Sequence, residues 1–279
     1  RHHTFMTTLA INYQDILTAS QRIEGHAVIT PLLESPVLNQ ELGGRILFKA
    51  ENLQRTGSFK FRGAFNKLSK LSQANKLTGV VAYSSGNHAQ GVAAAAAYFG
   101  VPATIIMPAD APQIKIANTK TLGAMVVLYD RNTDDREAIG LKLAHEHNLT
   151  LIPPYDDVDI IAGQGTLGLE AAHQLEALNL IPDQAIGPIG GGGLMSGSAT
   201  ALKHHFPSIT LWGAEPAGHD DAARSIAAGR RLANKNSPTS ICDAIITPMV
   251  GDLTFPIMQR YLAGAKPVSD QHVLVAMAM

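Results

Sequence analysis

The chain has 279 residues, 46% hydrophobic and 16% charged, with a formal net charge of −1. That length allows two domains with sizeable cores, and the near-neutral balance disfavours nucleic acid or a membrane surface as partner. The one cysteine, Cys242, excludes a disulfide framework and makes a reducing, cytoplasmic compartment the expectation.

Short apolar runs alternate with helical patterns along the chain. The expected strands are Ile46–Phe48, Val80–Tyr83, Thr104–Met107, Met125–Tyr129, Gln184–Ile186 and Ile209–Gly213. Between them, Asn87–Phe99 is alanine-rich and ends at Gly100, a helix stop. Thr133–Asn148, Gly165–Leu178 and Leu194–Phe206 also read as helices. Strand, crossover helix and strand at this spacing predict an α/β protein with open parallel sheets. Residues 79–154 have the size of a small domain inserted into a larger one made of 1–78 and 155–279. A cleft between two such domains is the expected ligand site. No apolar run reaches the roughly 18 residues of a membrane-spanning helix. The opening Arg1-His2-His3 reads as a tag remnant and is set aside.

Two motifs stand out. Lys60 lies in Thr56-Gly57-Ser58-Phe59-Lys60-Phe61-Arg62-Gly63-Ala64. A lysine held beside apolar groups has a lowered pKa and becomes a nucleophile; an ordinary surface lysine is the plain alternative. Gly190-Gly191-Gly192-Gly193 follows a strand and opens a helix at Leu194. Glycine lets the backbone approach an anion, and the helix start adds N–H donors. A phosphate-bearing aldehyde that condenses with lysine fits both motifs, and pyridoxal 5′-phosphate is such a cofactor. The dinucleotide fingerprint fails, because Met195 or Ser196 stands where its last glycine belongs. A nucleotide-binding oxidoreductase module therefore survives only as the reading from another class, with Glu215 as its ribose acid.

Ser84-Ser85-Gly86-Asn87-His88 opens the alanine-rich helix and suits a carboxylate, or is a plain N-cap. Glu215 to Asp221, with His219 between them, offers carboxylates and a carbonyl for a hard cation, or an acidic helix start.

Taken together and in order, the Thr56–Ala64 run, Ser84–Gly91, Gly163–Thr166, Gly190–Gly193 and Glu215-Pro216 strongly resemble the fold-type II pyridoxal-phosphate enzymes, in their serine/threonine dehydratase and serine racemase branch. The resemblance implies a tryptophan synthase β-like fold with the cofactor between two domains. It implies that Lys60 forms the Schiff base, Phe59 lies against the ring and Asn87 bonds the ring oxygen. Gly190, Gly191, Gly192, Gly193 and Leu194 would hold the phosphate. Ser84, Ser85, Gly86 and His88 would take the substrate, with Ser85 as proton donor or acceptor on the opposite face and Arg136 as a further contact. Glu215, the His219 carbonyl and Asp221 match that branch's divalent-metal site, for Mg²⁺, Ca²⁺ or Mn²⁺.

The implied activity is dehydration of serine, threonine or 3-hydroxyaspartate to a 2-oxo acid and ammonia, by a homodimer. Racemisation and cysteine-synthase-like β-replacement are the alternatives within the family. Family members continue past the Met279 position into a Ser-Gly segment facing the pyridine nitrogen, so the C-terminal end reads as truncated.

Overall fold

A computed structural model of the chain describes residues 8–84, 86–234 and 239–279. Two compact units result. One joins the segment ending at Leu17 to Tyr155–Met279; the other is Thr18–Pro154.

Helix α1 spans Tyr13–Ile23. Strands β1 (Leu32–Glu34) and β2 (Leu47–Lys49) pair antiparallel around α2 (Pro36–Leu42). Helix α2 starts at a proline behind the Ser35 cap and stops at left-handed Gly43, an arrangement its sequence favours at both ends. Then follow α3 (Lys60–Gln73), β3 (Val80–Tyr83), α4 (Asn87–Phe99), β4 (Ala103–Pro108), α5 (Gln113–Thr121), β5 (Met125–Tyr129), α6 (Arg136–Glu146) and β6 (Thr150–Leu151). Their four strands form one parallel sheet, ordered β5-β4-β3-β6. Strand β4 is buried throughout, as a central strand covered on both faces must be.

The expected grouping of residues 1–78 with 155–279 differs from the structure, in which 18–78 packs with 79–154. The cause is aromatic: Phe65 on α3 lies 5.0 Å from the Tyr98 ring and 5.1 Å from the Phe99 ring of α4, with His26 stacked at 4.7 Å.

The other unit holds α7 (Val158–Ala177), β7 (Gln184–Pro188), α8 (Gly193–His205), β8 (Thr210–Pro216), α9 (Asp221–Ala228), α10 (Thr254–Tyr261), β9 (Leu262–Val268) and α11 (Asp270–Ala278). Its sheet is parallel in the order β7-β8-β9. Ile11, Ile16, Ile161, Leu169, Ala201 and Ile257 form its core.

Helix α7 begins at Val158, behind an Asp157 cap, rather than at Gly165. Gly165 and Gly168 of this helix are contact points for α8. A Cβ on Gly168 would lie 2.7 Å from the Ser198 Cα, and one on Gly197 would lie 2.3 Å from the Ile161 carbonyl oxygen. Helices this close need residues without side chains. Among the described residues, no helix is long and apolar enough to cross a membrane.

Gly197→Ala therefore overpacks the α7–α8 crossing. We expect a loss of about 1–3 kcal/mol or more in denaturant-measured stability; an unchanged midpoint would refute the close approach.

Candidate active site

In each unit the sequence motifs gather at the carboxyl edge of a parallel sheet, where α/β proteins place ligands. Lys60 is the first residue of α3, and Phe59 is its N-cap. The partly buried side chain donates from Nζ to the Pro154 carbonyl at 2.6 Å, just beyond β6, and sits 5.4 Å from the centre of the Phe59 ring. Burial disfavours the ammonium and lowers the amine's pKa from 10.5 to about 8.

What fixes the start of α3 is a buried ion pair. Arg62 donates from Nε and Nη2 to the two Glu51 carboxylate oxygens at 2.8 and 2.7 Å, and Thr30 donates its hydroxyl to the same carboxylate at 2.6 Å. From the opposite side α4 presses on the lysine backbone, since a Cβ on Gly91 would lie 3.1 Å from the Lys60 carbonyl carbon. Just upstream, Thr56 holds a left-handed backbone at φ 60°.

Ser84 follows β3, and its Oγ accepts from the Gly86 amide at 3.2 Å. Gly86 is the N-cap of α4, and Asn87, exposed, is the first helical residue. Ser85 lies outside the described residues. His88 is 3% exposed; Nε2 faces the Ile152 carbonyl at 2.9 Å, and Nδ1 has no partner. Burial first, then the positive Lys60, push its pKa down to about 3, against the hydrogen bond to Ile152. The ring is therefore neutral. Its one N–H goes to the carbonyl, and Nδ1 is a bare acceptor. His88 therefore brings no positive charge to the site.

Arg136 begins α6 with its guanidinium 5.4 Å from the centre of the Tyr83 ring, at the end of β3. Arg131 pairs with Asp110 at 2.7 Å on the surface.

In the other unit Gly190 to Gly193 joins β7 to α8, with Gly192 as N-cap at φ 95° and Leu194 in the first turn. No side chain caps this helix, so its first amides are available to an anion. Glu215 closes β8, His219 lies in the turn after it, and Asp221 starts α9. Glu215 and Asp221 are each 2% exposed. Glu215 accepts from the Ala222 and Ala223 amides at 3.1 and 2.7 Å; Asp221 accepts from Asn234 and from the Val250 amide, both at 2.8 Å. Burial raises both carboxyls, Glu215 to about 7, and the Asp221 charge adds to the push on Glu215.

His204 and His205 belong to a Tyr13-centred cluster. His204 stacks on Tyr13 at 3.6 Å. The ring nitrogens of His205 face Tyr13 Oη at 2.8 Å and Glu176 at 2.7 Å.

The family model described as pyridoxal-phosphate dependent enzyme matches residues 23–279. The chain belongs to this family. An L-threo-3-hydroxyaspartate ammonia-lyase of Pseudomonas sp. is 46% identical over 266 residues, which is 95% of this chain and 82% of that protein. A serine racemase of Schizosaccharomyces pombe is 41% identical, over 94% and 80% of the two chains. The crystal structure of the T.th. threonine deaminase superposes with a TM-score of 0.90 at 43% identity, covering 95% of this chain and 85% of that one. The fold is thus that of the fold-type II enzymes.

The residues fit the family's cofactor. A buried, easily deprotonated amine suits an aldehyde, and an uncapped helix start behind glycines suits a phosphate.

If burial sets the Lys60 pKa, modification of Lys60 in the cofactor-free protein by an amine-selective reagent rises with pH around an inflection near 8. Peptide-resolved labelling reads this, and a rise confined to the ordinary lysine range near 10.5 contradicts it.

Proposed function

We propose that this protein is an ammonia-lyase that converts a small β-hydroxy amino acid to a 2-oxo acid and ammonia. The observation that carries the reading is the Lys60 amine, withdrawn from water at the carboxyl edge of its sheet with its pKa near 8. The 46% identity to a hydroxyaspartate ammonia-lyase supports the reaction class.

Bound pyridoxal phosphate supplies an electron sink for negative charge at the substrate α-carbon. Lys60 would hold the cofactor and would serve as the base for the α-proton. Lowering the pKa from 10.5 to about 8 greatly enlarges the unprotonated fraction near neutral pH, as a base requires. Phe59 would lie against the ring, Asn87 would donate to its oxygen, and the amides of Gly190 to Leu194 would hold the phosphate. Ser84, Gly86 and the start of α4 receive the α-carboxylate. By the family resemblance, Ser85 would be the second proton group if the protein also racemises. His88 contributes an acceptor at Nδ1, not a charge.

Arg136, beside Tyr83, takes the second carboxylate of 3-hydroxyaspartate, which makes that substrate the favoured one over serine and threonine. Glu215, the His219 carbonyl and Asp221 bind a divalent cation, whose charge answers the two buried carboxylates. A cytoplasmic homodimer completes the reading, supported by the unpaired Cys242 and by the resemblance.

Ammonia and 2-oxo acid are assayed with 3-hydroxyaspartate, serine and threonine, with enantiomer analysis of residual substrate. Lys60→Ala should release no ammonia from any of them; turnover by that variant would end the proposal. Arg136→Ala should raise KM for 3-hydroxyaspartate roughly 10- to 100-fold and leave serine nearly unaffected, the size of one charge-assisted hydrogen bond. Equal losses on all three substrates would remove Arg136 from substrate selection.

The cation is tested by stability. In chelator, Glu215 binds a proton more tightly folded than unfolded, so its contribution is full below about pH 4.5 and fades as pH rises through about 7. Added Mg²⁺ or Mn²⁺ should raise the melting temperature, more at about pH 8 than at about pH 5. No cation effect at either pH would refute the site.

A further inference from the structure

We infer that Thr254 is a positioning residue that presets the phosphate loop before coenzyme arrives; the inference rests on assigning the coenzyme phosphate to residues 190–194. Thr254 is fully buried at the start of α10. Its hydroxyl donates to the Gly191 carbonyl at 2.6 Å and accepts from the Gly251 amide at 3.0 Å. The Gly251 amide also reaches the Gly191 carbonyl, at 3.1 Å. One peptide oxygen in the glycine run is therefore held by two donors.

The same contact sets the direction of the next amide. A trans peptide points its C=O and N–H in opposite directions. With the Gly191 carbonyl turned to Thr254, the Gly192 N–H points away from it. A rotated Gly191–Gly192 peptide would instead present an oxygen to an anion and repel it.

Thr254 is itself held in place. Asp156 accepts from the Leu253 and Thr254 amides at 2.8 and 3.3 Å, and the Ser196 hydroxyl donates to the Thr254 carbonyl at 3.0 Å. The loop is walled on both sides. A Cβ on Gly191 would lie 2.2 Å from the Tyr155 ring, and one on Gly192 would lie 2.6 Å from the Met258 methyl and 2.9 Å from the Thr254 hydroxyl. The glycines thus admit this clamp as well as an anion, and the cost of ordering the donors is met during folding rather than at binding.

Cofactor-free wild type, Thr254→Val and Thr254→Ser are titrated with pyridoxal phosphate and with pyridoxal, which lacks the phosphate, following visible absorption. Valine keeps the shape and removes the hydroxyl. We expect Thr254→Val to bind pyridoxal phosphate roughly 10- to 100-fold more weakly, with pyridoxal binding unchanged, and Thr254→Ser to recover most of the loss. Equal weakening toward both ligands means a general structural role and overturns the inference, as does wild-type affinity in the valine variant. Wild type failing to bind pyridoxal phosphate overturns the proposed function as well.

Should the valine variant not fold, hydrogen exchange of the wild type decides. Slow exchange of the Gly251 amide, the N–H that bonds the Gly191 carbonyl and the Thr254 hydroxyl, before coenzyme is added supports a preset loop; free exchange until it is added overturns the inference.

Discussion

Keeping one lysine amine out of water is the constraint around which the Thr18–Pro154 unit is arranged. An ammonium in such a place is costly, and the fold relieves that cost by lowering the pKa to about 8 and by offering the Pro154 carbonyl as acceptor. The surroundings follow suit. A protonated His88 near Lys60 would place a second positive charge in the same low-dielectric space, and its pKa is accordingly driven down. A strong charge pair close by, Arg62 with Glu51, neutralises itself in a two-pronged contact that anchors the first turn of α3. Position and chemistry of the amine therefore share a cause: the packing that fixes the lysine also makes it a nucleophile.

The unit containing the glycine run follows a complementary logic. There the fold prepares donors for negative charge. Segment 250–251 is the hub: the Val250 amide bonds Asp221, and the Gly251 amide bonds the Gly191 carbonyl. A carboxylate of the expected cation site and the glycine loop are thus held by consecutive amides of one short stretch. The four glycines answer two demands at once, close packing against Tyr155 and Met258 and an open helix start.

The sequence disclosed most where local rules govern. Helix α4 was legible over its whole length, because an alanine run has high helix propensity and Gly100 supplies the left-handed stop. Strand β5 was legible because Met125–Tyr129 is a short β-prone run between turns. Helix α3 escaped notice behind its motif, and the first turns of α7, Val158 to Gln164, lay ahead of the expected start at Gly165. Strand β9, Leu262–Val268, is rich in alanine and glycine with a proline, and takes its form from pairing with β8 rather than from propensity. Site residues divide in the same way. Motifs contiguous in sequence announce themselves, whereas Thr254, Asp156 and Pro154 act through contacts with no local signature. The neutrality of His88 and the burial of Glu215 are properties of the fold alone.

The central claim is that Lys60 is the residue the coenzyme aldehyde seeks. Incubation of the full chain with pyridoxal phosphate, reduction with borohydride and peptide mass mapping test it most directly. The account predicts a phosphopyridoxyl mass on the peptide containing Lys60, in stoichiometric yield. Label spread over surface lysines, or concentrated on a different one, would contradict it.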